Sequence, residues 1–268
     1  MNIIEGYKTK EITFEEIVKI TYLNNLLNRS LKLIRLGIRK LENVKNINHD
    51  DYYFVFLYLS MGFELLMKIM LSIKNFENTK SFPTEKYLQR MGHDLDKMRK
   101  EIIKNYDKIP EDNSKKYQMI KNDKIFISKN IDLIKLIKLI AQFAIGGRYF
   151  ELDFITREQI YEELNGNKKG INYSKAPIVK MSILLHNFVA KDYPSLVNKR
   201  NFNGSINPWS EENRLHVILP LKKYIGVLAR QFNLGILGSE AKKFKCINTI
   251  KRYAYLKDYK VENKDLEK

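Results

Sequence analysis

The stretch FLYLSMGFELLMKIMLSI, residues 56–73, constrains the fold more than any other part of this chain. An apolar run of about 20 residues is long enough to cross a bilayer. However, Glu64 and Lys68 lie near its centre, and each charge would cost about 2.5–3.5 kcal/mol there. We therefore predict a central buried helix of a helical bundle rather than a membrane span.

Ser60, Glu64 and Lys68 recur at every fourth position of this run and form a polar stripe along one side of the predicted helix. Glu followed by Lys four residues later is the favourable order for an ion pair. The pair has a structural interpretation, in which it fixes the register of a half-buried helix. It also has a functional one, in which the stripe faces a groove, a ligand or a subunit interface.

Hydrophobic periodicity predicts helix along most of the chain and no extended run of strands. Pro and Gly are few, which favours long helices over a many-stranded fold. The fold class is therefore all-α, with a helical bundle over residues 1–155 and a C-terminal helical extension over 156–268 that packs on the bundle or forms one continuous domain with it. The predicted helices cover 13–43 (with Thr13 and Glu16 as a capping box), 50–75, 94–106, 117–145, 177–191 and 210–233.

A formal net charge of +17 favours a polyanionic partner such as RNA. Of the 48 basic residues, however, only 11 are Arg, and Arg is the better reader of phosphates and bases. The excess of Lys, together with many Ile and Asn residues, is also typical of an AT-rich coding sequence. Charge alone therefore leaves nucleic-acid binding open.

Cys246 is the single cysteine, which excludes an intrachain disulfide and a Cys-based zinc cluster. The first residues, MNIIEGYKTKEITFEE, contain no apolar signal core, so we expect a cytoplasmic protein. The four His residues show no metal-ligand spacing. We expect neither a metal nor a cofactor, because phosphate-binding and dinucleotide-binding glycine motifs are also missing from the sequence.

Two motifs in order give the chain a family resemblance: GFELLMKIML at 62–71 and GHDLDKM at 92–98. This order resembles bacterial HEPN-domain proteins, and RYFELD (148–153) and ARQFNLGILGSEAKKF (229–244) are similar to segments of HEPN-like proteins of this size. The resemblance implies a bundle of roughly four to five helices, often a homodimer, with a role in RNA processing or antiphage defence.

Catalytic HEPN ribonucleases carry an Arg, a spacer of roughly four to six residues and a His on one helix. His49, His93, His186 and His216 all lack an Arg at that distance, and Arg90 lies only three residues before His93. The chain therefore departs from the family's ribonuclease pattern, and cleavage of RNA by the usual route is not expected.

Residues near the middle of the chain are further candidates. Arg148 could bind a phosphate with Tyr149 stacking beside it, or it could pair with Asp153 or Glu151 in a structural network. His93 and Asp94 lie at a predicted helix start, where Asp caps a helix. Arg148 together with His93 is the one catalytic pair we consider, for a metal-independent ribonuclease without the usual motif.

The C-terminal tail interleaves basic and aromatic residues, a combination suited to single-stranded nucleic acid. A C-terminal helix that packs its aromatic side chains on the bundle explains the same pattern. The RNA-binding candidates in this tail are Lys242, Lys243, Lys245, Lys251 and Arg252, with Phe244, Tyr253, Tyr255 and Tyr259 between or beside them.

The run KNIDLIKLIKLIAQF, residues 129–143, contains Lys129, Lys135 and Lys138 around an apolar body. Such a helix could lie on a membrane surface, but a core helix with solvated lysines is the interpretation we favour. The sequence thus predicts a non-catalytic HEPN-like binding module for RNA or a protein partner in a toxin–antitoxin or antiphage setting. The alternatives are the ribonuclease above and a purely structural, dimerising protein.

Overall fold

Helices make up most of the chain that the structure describes, and no strand occurs in that part. The computed structural model describes residues 14–43, 49–107, 109, 114–147, 211–239 and 241. The all-α fold class is therefore confirmed. Seven α-helices lie in these ranges: α1 (Phe14–Asn43), α2 (His49–Thr79), α3 (Glu85–Met91), α4 (Leu95–Ile103), α5 (Lys115–Lys129), α6 (Ile131–Gln142) and α7 (Glu211–Asn233).

Helices α1 and α2 pack closely along their length because glycines remove side chains from their contact. A Cβ added at Gly62 would lie 2.8 Å from the backbone nitrogen of Ile34, and one added at Gly37 would lie 2.7 Å from the side chain of Leu59. Both distances are too short for real atoms, so these two positions need glycine. This pairing holds α2 at a fixed depth in the bundle.

The central position predicted for residues 56–73 is confirmed, since most α2 side chains are buried among the other helices. Phe63, Leu66, Met67 and Met70 are each 0 % exposed. By length and composition alone, Tyr53–Thr79 is the one described helix apolar enough to cross a membrane, and 61 % of its most apolar window is buried inside the protein. Burial of this much apolar surface is the main source of the bundle's stability.

The predicted continuous helix 117–145 is wrong in one respect, because Asn130 divides it. The Asn130 backbone is extended (φ −69°, ψ 109°), and its side chain accepts a hydrogen bond of 2.8 Å from the Leu133 nitrogen. Asn130 therefore ends α5 and caps the start of α6, as Asn commonly does. Helix α6 then passes into a π-helical turn at Phe143–Gly147.

The core of α6 also decides between the two interpretations of the lysine-rich run. Leu133, Leu136 and Ile137 are buried at 3 % exposure or less, whereas Lys135 and Lys138 are exposed. This helix is a core element whose lysines point outward. The amphipathic pattern is explained by packing against the bundle.

Helix α7 comes from the predicted C-terminal extension, and its side chains complete the same hydrophobic core. Tyr224 is fully buried, and its ring lies 5.5 Å from that of Phe63 in α2. The turn after α7 is held as well, because Lys74 donates a 2.8 Å hydrogen bond to the Ile236 carbonyl. The boundary at residue 155 lies outside the described residues and stays a prediction.

Two short helices, α3 and α4, connect α2 to α5. The predicted helix 94–106 corresponds to α4 followed by a 3₁₀ turn at Lys104–Tyr106, while α3 occupies residues to which the sequence assigned no helix. Thr84 caps α3 by accepting from the Tyr87 nitrogen at 3.3 Å. The capping box at Thr13 and the predicted helix 177–191 lie outside the described residues.

Candidate functional site

The polar stripe on α2 divides into two parts with different surroundings. Ser60 is 1 % exposed, and its hydroxyl donates to the Leu57 carbonyl of its own helix at 3.1 Å. Glu64 and Lys68 lie nearer the surface, with side chains 13 % and 23 % exposed, and form an ion pair of 2.8 Å. The predicted Glu64–Lys68 pair is therefore confirmed, whereas the Ser60 hydroxyl is bonded to the backbone of its own helix.

His93 joins this pair from the connection between α3 and α4. Its Nδ1 lies 2.9 Å from Glu64 Oε2, while Lys68 Nζ lies 2.8 Å from Glu64 Oε1. The carboxylate thus contacts one cationic or protonatable side chain at each oxygen. We name this group, Glu64 with Lys68 and His93, the α2–α4 polar cluster.

The backbone around His93 explains how the imidazole reaches α2. Gly92 ends α3 at φ +56°, in the left-handed region that favours glycine. Asp94 then caps α4, its side chain accepting from the Lys97 nitrogen at 2.9 Å. The cap predicted for Asp94 is confirmed, and the glycine and the cap together place His93 in a tight turn facing Glu64.

Electrostatics set the proton positions in the α2–α4 polar cluster. Burial acts to raise the pKa of Glu64, but hydrogen bonds from Lys68 and His93 outweigh it, and the pKa lies below its ordinary value. Glu64 is therefore ionised at neutral pH and can only accept hydrogen bonds. It follows that His93 Nδ1 carries a proton and donates to Glu64.

This arrangement has two chemical capacities. A carboxylate bonded to Nδ1 orients an imidazole and directs its other nitrogen to acid–base work, as in catalytic His–carboxylate pairs. The side chain of His93 is 50 % exposed, which gives solvent and ligands access to the ring. The cluster could equally serve as a tie between α2 and the α3–α4 connection.

A second charged pair, which the sequence did not suggest, lies between α5 and α7. Arg230 Nε and Nη2 donate to Asp123 Oδ2 and Oδ1, both at 2.6 Å. Their side chains are only 16 % and 5 % exposed. Burial raises the pKa of Asp123 above its ordinary value although Arg230 and Lys223 oppose this effect.

Arg99 of α4 makes a comparable buried contact with α5. Its guanidinium donates to Asp96 Oδ1 at 2.7 and 2.9 Å and to the Ile127 carbonyl at 2.6 Å. Asp96 and Arg99 are three residues apart on one helix, a spacing that permits such a pair. Their burial depends on α5 and was not visible in the sequence.

The α5 and α6 segment carries a concentration of positive charge on its surface. Residues 114–147 include seven Lys and two Asp, and one of those Asp residues is the buried partner of Arg230. We name the exposed lysines of this segment the α5–α6 lysine surface; they are Lys115, Lys116, Lys121, Lys129, Lys135 and Lys138.

Most of the binding residues predicted from the sequence are not located by the structure. Arg148 and Tyr149 lie outside the described residues, so the predicted pairing of Arg148 with His93 stays a prediction. The same holds for the basic tail candidates Lys242, Lys243, Lys245, Lys251 and Arg252. Among the described residues, no group of three His, Cys, Asp or Glu side chains is arranged to hold a metal ion.

Comparison with known proteins adds no relative to these observations. No family model, no curated protein and no solved structure matches the chain. The HEPN resemblance therefore rests on the sequence motifs at 62–71 and 92–98.

Proposed function

We propose that this chain is a cytoplasmic, HEPN-like binding module without the ribonuclease motif, and that its ligand is RNA in a toxin–antitoxin or antiphage setting. The observation that carries the proposal is the α5–α6 lysine surface. Lysines bind RNA by neutralising phosphates and releasing condensed counterions, which does not require a catalytic group. A net charge of +17 over the chain adds long-range attraction.

The two aspartates of this segment do little to cancel the lysines. Asp123 is buried against Arg230, and Asp132 lies in the first turn of α6 at a half-buried position, where it complements the helix dipole. The exposed charge of the segment is therefore strongly positive, which supports an anionic ligand.

The test is one incubation of labelled single-stranded and duplex RNA with the purified full-length protein, divided between native and denaturing gels and repeated across salt concentrations. The expected result is a retarded but intact band whose affinity falls steeply as salt rises. Absence of a shift with either RNA would overturn the RNA assignment and favour a protein partner.

The contact between Glu64 and His93 favours a second candidate, a metal-independent ribonuclease without the usual motif. With Nδ1 bonded to Glu64, His93 would exchange a proton with a ribose hydroxyl or a leaving oxygen. RNA shortened in the presence of EDTA, and left intact by His93→Ala, would establish this activity. Cleavage that persists in the His93→Ala protein would eliminate it.

We also propose that the chain forms a homodimer, with the outer side of α2 as the contact. Phe54 and Met61 are 42 % and 36 % exposed on this helix, which also carries Glu64 and Lys68. A dimer seam here would give the α2 stripe a structural role. Light scattering on the Glu64→Ala protein tests this, since loss of the dimer with unchanged RNA affinity would assign the stripe to assembly alone.

A further inference from the structure

The α5–α6 lysine surface also indicates which form of RNA is bound. We propose that it binds duplex RNA through the phosphate backbone, without reading the base sequence. This inference rests on the proposed function, because it names the class of RNA that the module would take. It is carried by the side chains that are exposed beside the lysines and by the way α5 is anchored.

Some exposed side chains of α5 and α6 recur every three or four residues, so each helix presents an outer stripe, beside which Lys116, Gln118 and Lys121 of α5 are also exposed. Each stripe combines two lysines, two long apolar side chains and one amide. On α5 it consists of Lys115, Met119, Asn122, Ile125 and Lys129; the second consists of Ile131, Lys135, Lys138 and Gln142 of α6 with Ile145 of the π-helical turn that follows.

None of the exposed side chains among residues 114–147 is aromatic. Phe126 is 8 % exposed, with Lys223 Nζ 4.4 Å from its ring centroid, and Phe143 is fully buried. Tyr117 is half-buried. Exposed Ile and Met side chains occur singly on many protein surfaces, and they offer no ring on which a base can stack.

This composition disfavours a single strand as the ligand. A flexible strand loses conformational freedom when it is bound, and single-strand binding proteins offset that loss by stacking bases on aromatic side chains, at about 1–3 kcal/mol per base. A duplex has already ordered its phosphates and carries a higher charge density, so lysines alone can hold it. Duplex RNA also presents its shape and phosphates more readily than its bases.

The lysines of α5 are held on a rigid support, which suits an ordered ligand. Arg99 from α4 donates to the Ile127 carbonyl near the end of α5, and Arg230 from α7 holds Asp123 in its middle turns. The buried guanidinium of Arg99 and the largely buried one of Arg230, from two other helices, thus fix α5. The helix that carries these lysines therefore loses little backbone freedom on binding.

The experiment compares a labelled 20-base-pair RNA duplex of mixed sequence with one of its strands, each titrated with full-length protein at several salt concentrations. We expect the duplex to bind at least about tenfold more tightly and a second duplex of unrelated sequence to bind equally. A single strand that binds as well as the duplex, or affinities that differ tenfold between the two duplexes, would overturn the inference.

Substitutions assign the binding to this surface. Lys129→Gln with Lys138→Gln should weaken duplex binding and reduce the slope of log affinity against log salt by about 2, since each phosphate contact contributes about 0.9. The matched control, Lys32→Gln with Lys86→Gln, removes the same charge from exposed positions on α1 and α3 and should leave the slope unchanged. Equal effects of the two double variants would overturn the assignment.

A second control separates contacts made by the lysines from contacts made by the aliphatic side chains beside them. Ile131 is 65 % exposed, and Ile131→Gln should leave duplex affinity unchanged because the ligand contacts lysines rather than aliphatic groups. A clear loss of affinity in this variant would contradict phosphate-only recognition. A preference for the single strand would overturn the duplex inference and leave the proposed function intact, whereas absence of binding to both RNAs would overturn the proposed function itself.

Discussion

The carboxylates of Glu64 and Asp123 both accept two hydrogen bonds from basic side chains, yet their pKa values shift in opposite directions. Burial is the largest influence on each and acts to raise both pKa values. At Glu64, which is 13 % exposed, bonds from Lys68 and His93 outweigh burial. At Asp123, which is 5 % exposed, the bidentate bond from Arg230 does not.

The opposite pKa shifts indicate that the two charged groups have different roles in the bundle. The Asp123–Arg230 pair removes two charges from water to tie α5 to α7, and desolvation offsets much of its attraction. The α2–α4 polar cluster keeps a half-exposed imidazole beside an ionised carboxylate, an arrangement that leaves the ring accessible to solvent and to a ligand. Function is therefore better sought at the second group than at the first.

The largest effect on stability is expected from Arg230→Met. This change leaves the Asp123 carboxylate buried without its guanidinium partner, which should lower the free energy of unfolding by about 3–5 kcal/mol. Urea denaturation followed by circular dichroism measures it. The double variant Asp123→Leu with Arg230→Met should recover much of that loss, because no uncompensated charge remains; a double variant as unstable as the single one would show that packing, not charge, is at stake.

A smaller decrease in the free energy of unfolding is expected from Glu64→Gln. The neutral amide keeps the shape of the side chain but weakens the hydrogen bonds from Lys68 and His93, which should cost about 1 kcal/mol at this partly exposed position. The same denaturation measurement applies. A loss as large as that of Arg230→Met would remove the distinction drawn between the two groups.

The pH dependence of stability should reflect Glu64 in a defined window. Because its pKa is lower in the folded state than the ordinary value of 4.5, Glu64 contributes stability that is complete above that value. This contribution is lost as the pH falls through the lowered folded pKa. Unfolding curves should be measured at roughly pH 3–6, the range around the carboxylate pKa values. As the pH falls, the free energy of unfolding should decrease less in Glu64→Gln than in the unsubstituted protein. Equal acid losses would show that Glu64 is not shifted.

The Asp123 group should respond in the opposite sense. Since its pKa is raised in the folded state, the folded protein takes up this proton before the unfolded chain does, and acidification through the raised value favours folding at this site. Asp123→Asn should remove that contribution, making the acid loss of stability steeper than in the unsubstituted protein. A shallower acid loss would reverse the sign assigned to this group.

The smallest effect on stability is expected from Lys68→Met. Lys68 is 23 % exposed, and pairs of this kind, four residues apart on a helix, contribute about 0.3–0.5 kcal/mol. Thermal unfolding should shift by only a few degrees or less. A loss above about 2 kcal/mol would place Lys68 among the buried structural charges together with Arg230.

Much of the fold could be predicted from the sequence because periodicity records which residues face a core. In α1, Leu27, Leu31, Ile34 and Ile38 recur at helical spacing, and all four are buried. Ile17 continues the same period yet is 50 % exposed, since a pattern does not say where along a helix its neighbours end. The break at Asn130 was missed because apolar residues keep helical spacing on both sides of it.

In the candidate site too, the sequence predicted the contact within one helix and missed the contact between distant residues. Glu64 and Lys68 were paired correctly because four residues bring two side chains together on any helix. His93 lies 29 residues from Glu64, and Asp94 was expected only to cap a helix. That the turn at Gly92 aims the imidazole at α2 depends on how α3 and α4 pack, and no short-range pattern contains that information.

The sequence by itself determined the all-α fold class, the burial of α2 and the Glu64–Lys68 pair, because each follows from spacing along a helix and from the cost of exposing apolar surface. Only the tertiary structure decided that His93 joins Glu64 and that Asp123 meets Arg230 across 107 residues of chain. Such contacts are selected by the packing of whole helices. Packing of this kind also determines how far each carboxylate is removed from water, and so which way its pKa moves.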